Sequence, residues 1–440
     1  MKTRLNNHCF SALYVVVFAC AGNATIAQTP ALSPVSEIFA LQSSENATLT
    51  DVQTELLSYA DAHDTAEVRF ALGACEFLMS VERGLQDMYR SGFGSPVIDA
   101  NSFVSRSPLS VFQNLDPIEV SPALVRASIA GRVIELAGAE TMLGLVDERP
   151  GDAIALTVDV LAIRFDINGD GVAREHESVG WFVDEYGPQG RWDPETNQYV
   201  EYDWSSPRYV TFDRGDVDWL RGYCHILMAA GDFVLAHDFA DWFERTGHVF
   251  FAKVDTKYEF LVGNAVFFPG VVSDRDAPFD IMDLIVLLTQ IDWAVSEPRR
   301  LESCRQHLIS ATQHSRAMWN HYLAETDNAN EWIPNPDQDA ALTTIQVTGE
   351  MPEQWDALMS QIEKVLEGEL LLPFWRNAPE RGFNFKRALL EHDRLNPWYW
   401  LQGSAAAPYL EKGNIAEPEL WREMARPFEG EMFRFGFWFN

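Results

Sequence analysis

Positive charge is what this sequence has least of. Only 33 of its 440 residues are Lys or Arg, against 65 Asp and Glu, for a formal charge of −32 with histidines neutral. A basic surface is what displaces counterions from a phosphate backbone, so this balance argues against a nucleic-acid partner. It argues equally against docking on anionic lipid through a polybasic patch. Cysteine is scarce too, and of the five, Cys9 and Cys20 lie near the N-terminus. The other three, Cys75, Cys224 and Cys304, are odd in number and far apart in apolar helical surroundings, which describes no disulfide framework. Free buried thiols are one arrangement open to them, and one bridge with a thiol left over is the other. Long apolar runs are missing beyond the N-terminus. The nearest, residues 281–295, is broken by Asp283, Gln290 and Asp292 and reads as a buried helix. There is no HExxH, no Gly-rich phosphate loop, no GxSxG elbow and no Cys-x-x-Cys.

What is present describes an exported globular chain. Hydrophobic residues make up 47% and aromatic residues 12%, enough to bury a large core despite the acidity. Lys2 and Arg4 precede an apolar run from Phe10 to Ala21, then Thr25-Ile26-Ala27 before Gln28. A positive start, a core too short to span a bilayer and a small-residue site read as a signal peptide over residues 1–27. Cleavage after Ala27 would leave a periplasmic or extracellular chain with no transmembrane segment. Val17-Phe18-Ala19-Cys20 offers a lipoprotein alternative, with Cys20 acylated.

Residues 28–47 are small and polar and read as a tether, and residues 48–440 as a single body. Its fold class is mainly α, a multi-helix globular body with an irregular, acidic, aromatic-rich insertion carrying short strands over 184–215. Asp64 and Glu67 stand in a capping-box arrangement ahead of Val68, Leu72, Cys75, Met79 and Leu85 at helical spacing. Ser121-Pro122 caps and opens a helix through about Leu143. Helices are expected again over 216–244, 280–295, 298–325 and 352–371, with a loop over 92–117.

Residues 166–177 run Asp166-Ile167-Asn168-Gly169-Asp170-Gly171-Val172-Ala173-Arg174-Glu175-His176-Glu177. This resembles the calcium loop of the EF-hand family, matching D-x-[DN]-x-[DN]-G-x5-E throughout. The chemistry explains the spacing. Asp166, Asn168 and Asp170 turn oxygens inward from one tight coil, and Gly171 permits the bend. Val172 offers its carbonyl and Glu177 two oxygens, so the loop can supply the hard oxygen ligands that Ca2+ takes. The resemblance implies a Ca2+ site held by Asp166, Asn168, Asp170, Val172 and Glu177, with flanking helices in a segment of about 161–183. Ala173 and Arg174 depart from the usual pattern and weaken the expected site. No second loop matches, although Tyr209–Phe212 followed by Asp213, Asp216 and Asp218 could pair with the first. Alternatively, Asp213 or Asp216 simply caps the next helix. Between Asp166 and Asp218 stand 13 acidic and four basic residues, a field that draws cations.

Weaker constellations remain. His307, His314 and His321 recur every seven residues, about 10 Å apart along a helix, too far to share one ion. They read as packing-boundary residues. His63-Asp64, His237-Asp238 and His392-Asp393 are bare dipeptides, and His237 and Asp241 at i,i+4, with Glu244, could bind zinc from one face of the expected helix. Trp181, Trp192, Trp204 and Trp219 beside carboxylates could form a glycan surface, or belong to the core. Phe433, Phe435, Phe437 and Phe439 read as a terminal strand on the helical body. Two functions follow: an exported binding or scaffold protein stabilised by calcium, and an exported glycan hydrolase using paired carboxylates.

Overall fold

A computed structural model describes residues 31–45, 47–93, 114–187, 189–193, 198–201, 203–204, 206–261, 281–341, 347–376, 380–417 and 426. The expected signal segment with Cys20, most of the expected 92–117 loop and the C-terminal phenylalanines lie outside them. The chain begins with α1 (Pro34–Phe39), α2 (Leu49–Ala60), α3 (Ala66–Ser91) and α4 (Pro122–Gly144). Then come β1 (Leu156–Asp159), α5 (Val179–Tyr186), β2 (Gly190–Asp193), β3 (Gln198–Glu201), β4 (Tyr209–Phe212) and α6 (Arg214–Leu235). After β5 (His237–Asp238) follow α7 (Ala240–Thr246), α8 (Ile281–Thr289), β6 (Trp293–Val295), α9 (Pro298–Tyr322) and α10 (Glu350–Glu367). Short elements close the described chain: β7 (Leu372–Pro373), β8 (Gly382–Phe383), α11 (Phe385–Glu391), β9 (Arg394–Leu395), α12 (Pro397–Gln402) and β10 (Leu410–Glu411). The fold is mainly α with small sheets, as the helical periodicity implied.

Helices α3, α4, α6, α9 and α10 pack in that order, and α6 with α9 is the most extensive pair. The main core runs from Val35 to Met359, so the helical layers share one apolar interior. In α3, Val68, Leu72, Cys75, Met79 and Leu85 form the buried stripe. Its cap is Thr65, whose side chain accepts from Val68 N–H, while Asp64 is drawn off by Arg69 and Arg149. The capping box expected of Asp64 is therefore replaced by a neighbour. Ser121 caps α4 as read. Cys75, Cys224 and Cys304 are free and buried.

Several stretches differ from expectation. The helix expected over 280–295 ends at Thr289, and Trp293–Val295 instead form β6 between β5 and β9. Residues 34–39 of the supposed tether form α1, because Ser33 caps Pro34 and the helix buries Val35 and Phe39 in the main core. The helix expected over 216–244 stops at Leu235. Arg126 donates to the carbonyls of Leu235 and His237, and Ala236 O accepts from Ser296 and Glu297, so the last carbonyls are satisfied and the chain turns into β5.

Each sheet is small and antiparallel: β1 with β4, β2 with β3, β5–β6–β9, and β7–β8–β10. Leu156 pairs with Phe212 and Asp159 with Tyr209, and the 166–177 loop begins seven residues after β1 ends. No helix among the described residues is long and apolar enough to cross a membrane.

Candidate functional site

The chain approaches the loop through a 3-10 turn at Val160–Ala162 and then extended backbone, not through the helix expected there. Ile163 and Phe165 alternate inward, and Arg164 forms an antiparallel bridge with Ser178. Phe165 N–H donates to Glu177 O at 3.1 Å and Val179 N–H to Ile163 O at 2.8 Å. Period-two burial thus prevails over helix formation, and the ends of the loop are pinned together. The outgoing helix is present as α5, capped by Ser178.

Within the loop the side chains turn back on their own backbone. Asp166 accepts from Asp170 N–H at 3.0 Å and from Gly171 N–H at 2.8 Å. Asn168 Oδ1 accepts from Asp170 N–H at 2.8 Å, and Asp170 Oδ1 from Val172 N–H at 3.0 Å. Gly169 and Gly171 hold φ of 72° and 84°, values that explain glycine at both. Glu177 is wholly buried, its two oxygens accepting from Ile167 and Arg174 N–H at 3.0 and 2.8 Å. From α3, Glu82 accepts Asp166 N–H at 2.8 Å and Gln86 donates to Asp166 O at 2.8 Å.

This arrangement concentrates negative charge. Asp166, Glu177 and Glu82 are all buried. Burial pushes the Glu82 carboxyl up to about 7, helped by repulsion from Asp166 and Glu177 and opposed by the Asp166 N–H and by Arg83. Arg174 is the cation within the loop itself: it lies 2.8 Å from Asp170, 4.0 Å from Glu177 and 3.4 Å from the Val172 carbonyl. Its guanidinium holds the Asp170 carboxyl below the usual range. Three of the five ligands implied by the resemblance therefore face one arginine, the ninth residue of the loop.

The acids downstream are used otherwise. Asp213 caps α6 in a capping box with Asp216, while β4 pairs with β1 and not with the loop. Asp216 is buried and accepts from Tyr322 Oη at 2.6 Å. Asp213, Glu325 and Glu331 bring carboxylate oxygens within 4.8 Å of one another beside a cavity of about 250 Å³. Burial first, then hydrogen bonding to and repulsion by Asp213, pushes Glu325 up to about 10.

The break after Leu235 separates His237 from Asp241 and Glu244, which lie on α7, so no common helix face presents them. His237 instead meets His392, Nε2 to Nε2 at 2.9 Å. The Nδ1 atoms lie 2.7 Å from Phe233 O and 2.9 Å from Ala388 O, so each ring also meets the backbone. Burial pushes both imidazoles down, favouring their neutral forms. His63 is exposed and stacks on Tyr59. Of the tryptophans proposed for a glycan surface, Trp204 is buried, and Trp181 and Trp219 pack against the main core.

A second cluster escaped the sequence reading. On α6, Asp218, His225 and Asp232 recur every seven residues, and they face His321, His314 and His307 on α9, which runs antiparallel. His225 Nδ1 lies 2.9 Å from His307 Nδ1, and its ring stacks on His314 with centroids 5.5 Å apart. Glu140 reaches in from α4, 3.8 Å from His225 Nε2, and accepts from Arg221. The matching heptads, read together, were the signal in the sequence. Comparison of the chain with protein families, curated proteins and solved structures returned no match.

Proposed function

We propose that this is an exported calcium-binding protein in which the ion acts structurally, clamping the 166–177 loop and α5 against α3. The reading rests on one observation above others: Asp166 and Glu177 are buried in a single coil with Glu82 behind them. Carboxylates so placed repel one another, and a dication coordinated by Asp166, Asn168, Asp170, the Val172 carbonyl and Glu177 relieves that repulsion. Arg174 supplies part of the relief from outside. Its pair with Asp170 is a partly exposed surface contact outside any helix, a kind that contributes little net stability, so Ca2+ displaces it at little cost.

Export supplies the setting. Extracellular calcium is plentiful enough to fill a weak site, and an ion bound only by the folded chain stabilises it by about 2.7 kcal/mol at a hundred times Kd. Calorimetric titration of the chelator-treated protein with Ca2+ is expected to give one loop site that vanishes in Asp166→Ala/Glu177→Ala and tightens in Arg174→Gln. Wild-type protein without heat, or a double variant with unchanged heat, refutes the proposal.

A further inference from the structure

The polar seam between α6 and α9 carries a donor set unlike that of the loop. We propose that Glu140, His225 and His314 form a separate site for a transition-metal dication of the zinc class. The ligand atoms come from three helices, α4, α6 and α9, and all lie within 4.8 Å of one another. Two imidazole nitrogens and one carboxylate oxygen suit zinc, whereas Ca2+ takes oxygen alone. Tetrahedral bonds of about 2.0–2.1 Å place ligand atoms about 3.3 Å apart. The 3.8 Å between Glu140 Oε1 and His225 Nε2 is within a small side-chain adjustment of that. Glu140, His225 and His314 side chains retain 20%, 12% and 16% exposure, so an ion reaches them without unfolding the helices.

The surroundings orient each ligand. His314 Nδ1 bonds Asp218 Oδ1 at 2.8 Å, which leaves Nε2 as its ligating atom. A carboxylate on the far nitrogen is the usual support of a zinc-bound imidazole, fixing its tautomer and raising its basicity. A parallel chain serves His225. His225 Nδ1 and His307 Nδ1 lie 2.9 Å apart, so one of the two rings donates, and with His225 as the donor its Nε2, 3.8 Å from Glu140, keeps its lone pair for an ion. Arg221 donates twice to Glu140 Oε1 and holds the carboxylate in place beside His225.

The charges of the seam favour a dication as well. Among the described residues, the Arg and Lys side chains in ion pairs with Glu140, Asp147, Asp218 and Asp232 are Arg221 and Arg300, the imidazoles being neutral as ligands. His321 touches Asp218 from the far side at 3.5 Å and lies outside the ligand set. A hydrogen-bonded helix seam alone would explain the Asp–His pairs. It would not by itself require Glu140 to converge on His225 and His314.

The test uses the full chain, stripped with chelator and returned to excess Ca2+ so that the 166–177 loop is saturated. Zn2+ is titrated in competition with a chromophoric chelator, and Co2+ in parallel as a spectroscopic probe. One Zn2+ per chain and the visible absorption of four-coordinate Co2+ are expected. Glu140→Gln and His314→Gln each weaken Zn2+ at least tenfold, while His321→Gln and Asp166→Ala/Glu177→Ala leave it unchanged. Should His314→Gln fail to fold by circular dichroism, the near-isosteric Glu140→Gln decides alone. Absence of stoichiometric Zn2+ in the wild type, or wild-type affinity in Glu140→Gln, overturns the proposal. Because the loop variant retains Zn2+ if the seam is a site, failure of the calcium proposal and failure of this one are separate results.

Discussion

Glu331 offers a direct test of the electrostatics behind the acidic cavity. It lies between β4 and the end of α9, 4% exposed, and accepts Ala329 N–H at 2.6 Å. Burial pushes its carboxyl up from 4.5 to about 7, with Asp213 and Asp327 adding repulsion and the Ala329 N–H opposing. The folded chain therefore keeps a proton that the unfolded chain releases once pH exceeds about 4.5. Stability from this group is fully present below that value and is lost as pH rises to about 7. At 1.36 kcal/mol per pH unit the span is worth about 3 kcal/mol. Glu331→Gln removes the titration and keeps the amide acceptor for Ala329. Urea unfolding with chelator present, at about pH 5 and about pH 8, reads the effect. The wild type is expected to lose up to about 3 kcal/mol more than the variant over this range, a midpoint difference on the order of 1 M. General repulsion in so acidic a chain grows with pH in both proteins and cancels in the difference. Equal losses in the two proteins, or a variant weaker than wild type at about pH 8, would show that the carboxyl is not held protonated.

Two further perturbations probe packing. A Cβ added at Gly215 would lie 2.3 Å from the Tyr322 ring, which is buried and tied to Asp216, so Gly215→Ala is expected to cost about 1–3 kcal/mol in chemical unfolding. A variant as stable as wild type would mean the start of α6 can shift away from α9. For the paired imidazoles, His392→Phe leaves buried His237 Nε2 without its partner, at a cost of about 1–3 kcal/mol. The double change His237→Phe/His392→Phe is expected to cost less than the two single changes combined, and strict additivity would refute a direct interaction between the rings.

Much of the framework was legible along the chain because its causes are local. Ser121-Pro122 starts a helix wherever it stands beside a periodic apolar stripe, and α4 begins there. Apolar residues at helical spacing announced α3 and α9. The glycines and acids of 166–177 specify a coil in which Asp166, Asn168, Asp170 and Glu177 each accept from backbone N–H groups of the same twelve residues. Failures occurred where a distant partner outbid a local preference. Thr65 caps α3 because Arg69 and Arg149 take Asp64, α6 ends where Arg126 meets its carbonyls, and residues 163–165 extend because their neighbours pair with 177–179.

By itself, then, the sequence determined an acidic, mainly helical chain, its principal helices and the conformation demanded by one oxygen-rich loop. Propensity, capping and glycine conformation act over a few residues and can be read there. Only the tertiary structure decided what faces that loop, namely buried Glu82 from α3, and which histidines meet. His307 and His314 are too far apart on their own helix to share an ion, yet His225 from α6 touches both and Glu140 from α4 joins it. Coulombic and ligand geometry depend on separation in space, and packing of helices 80 or more positions apart sets that separation.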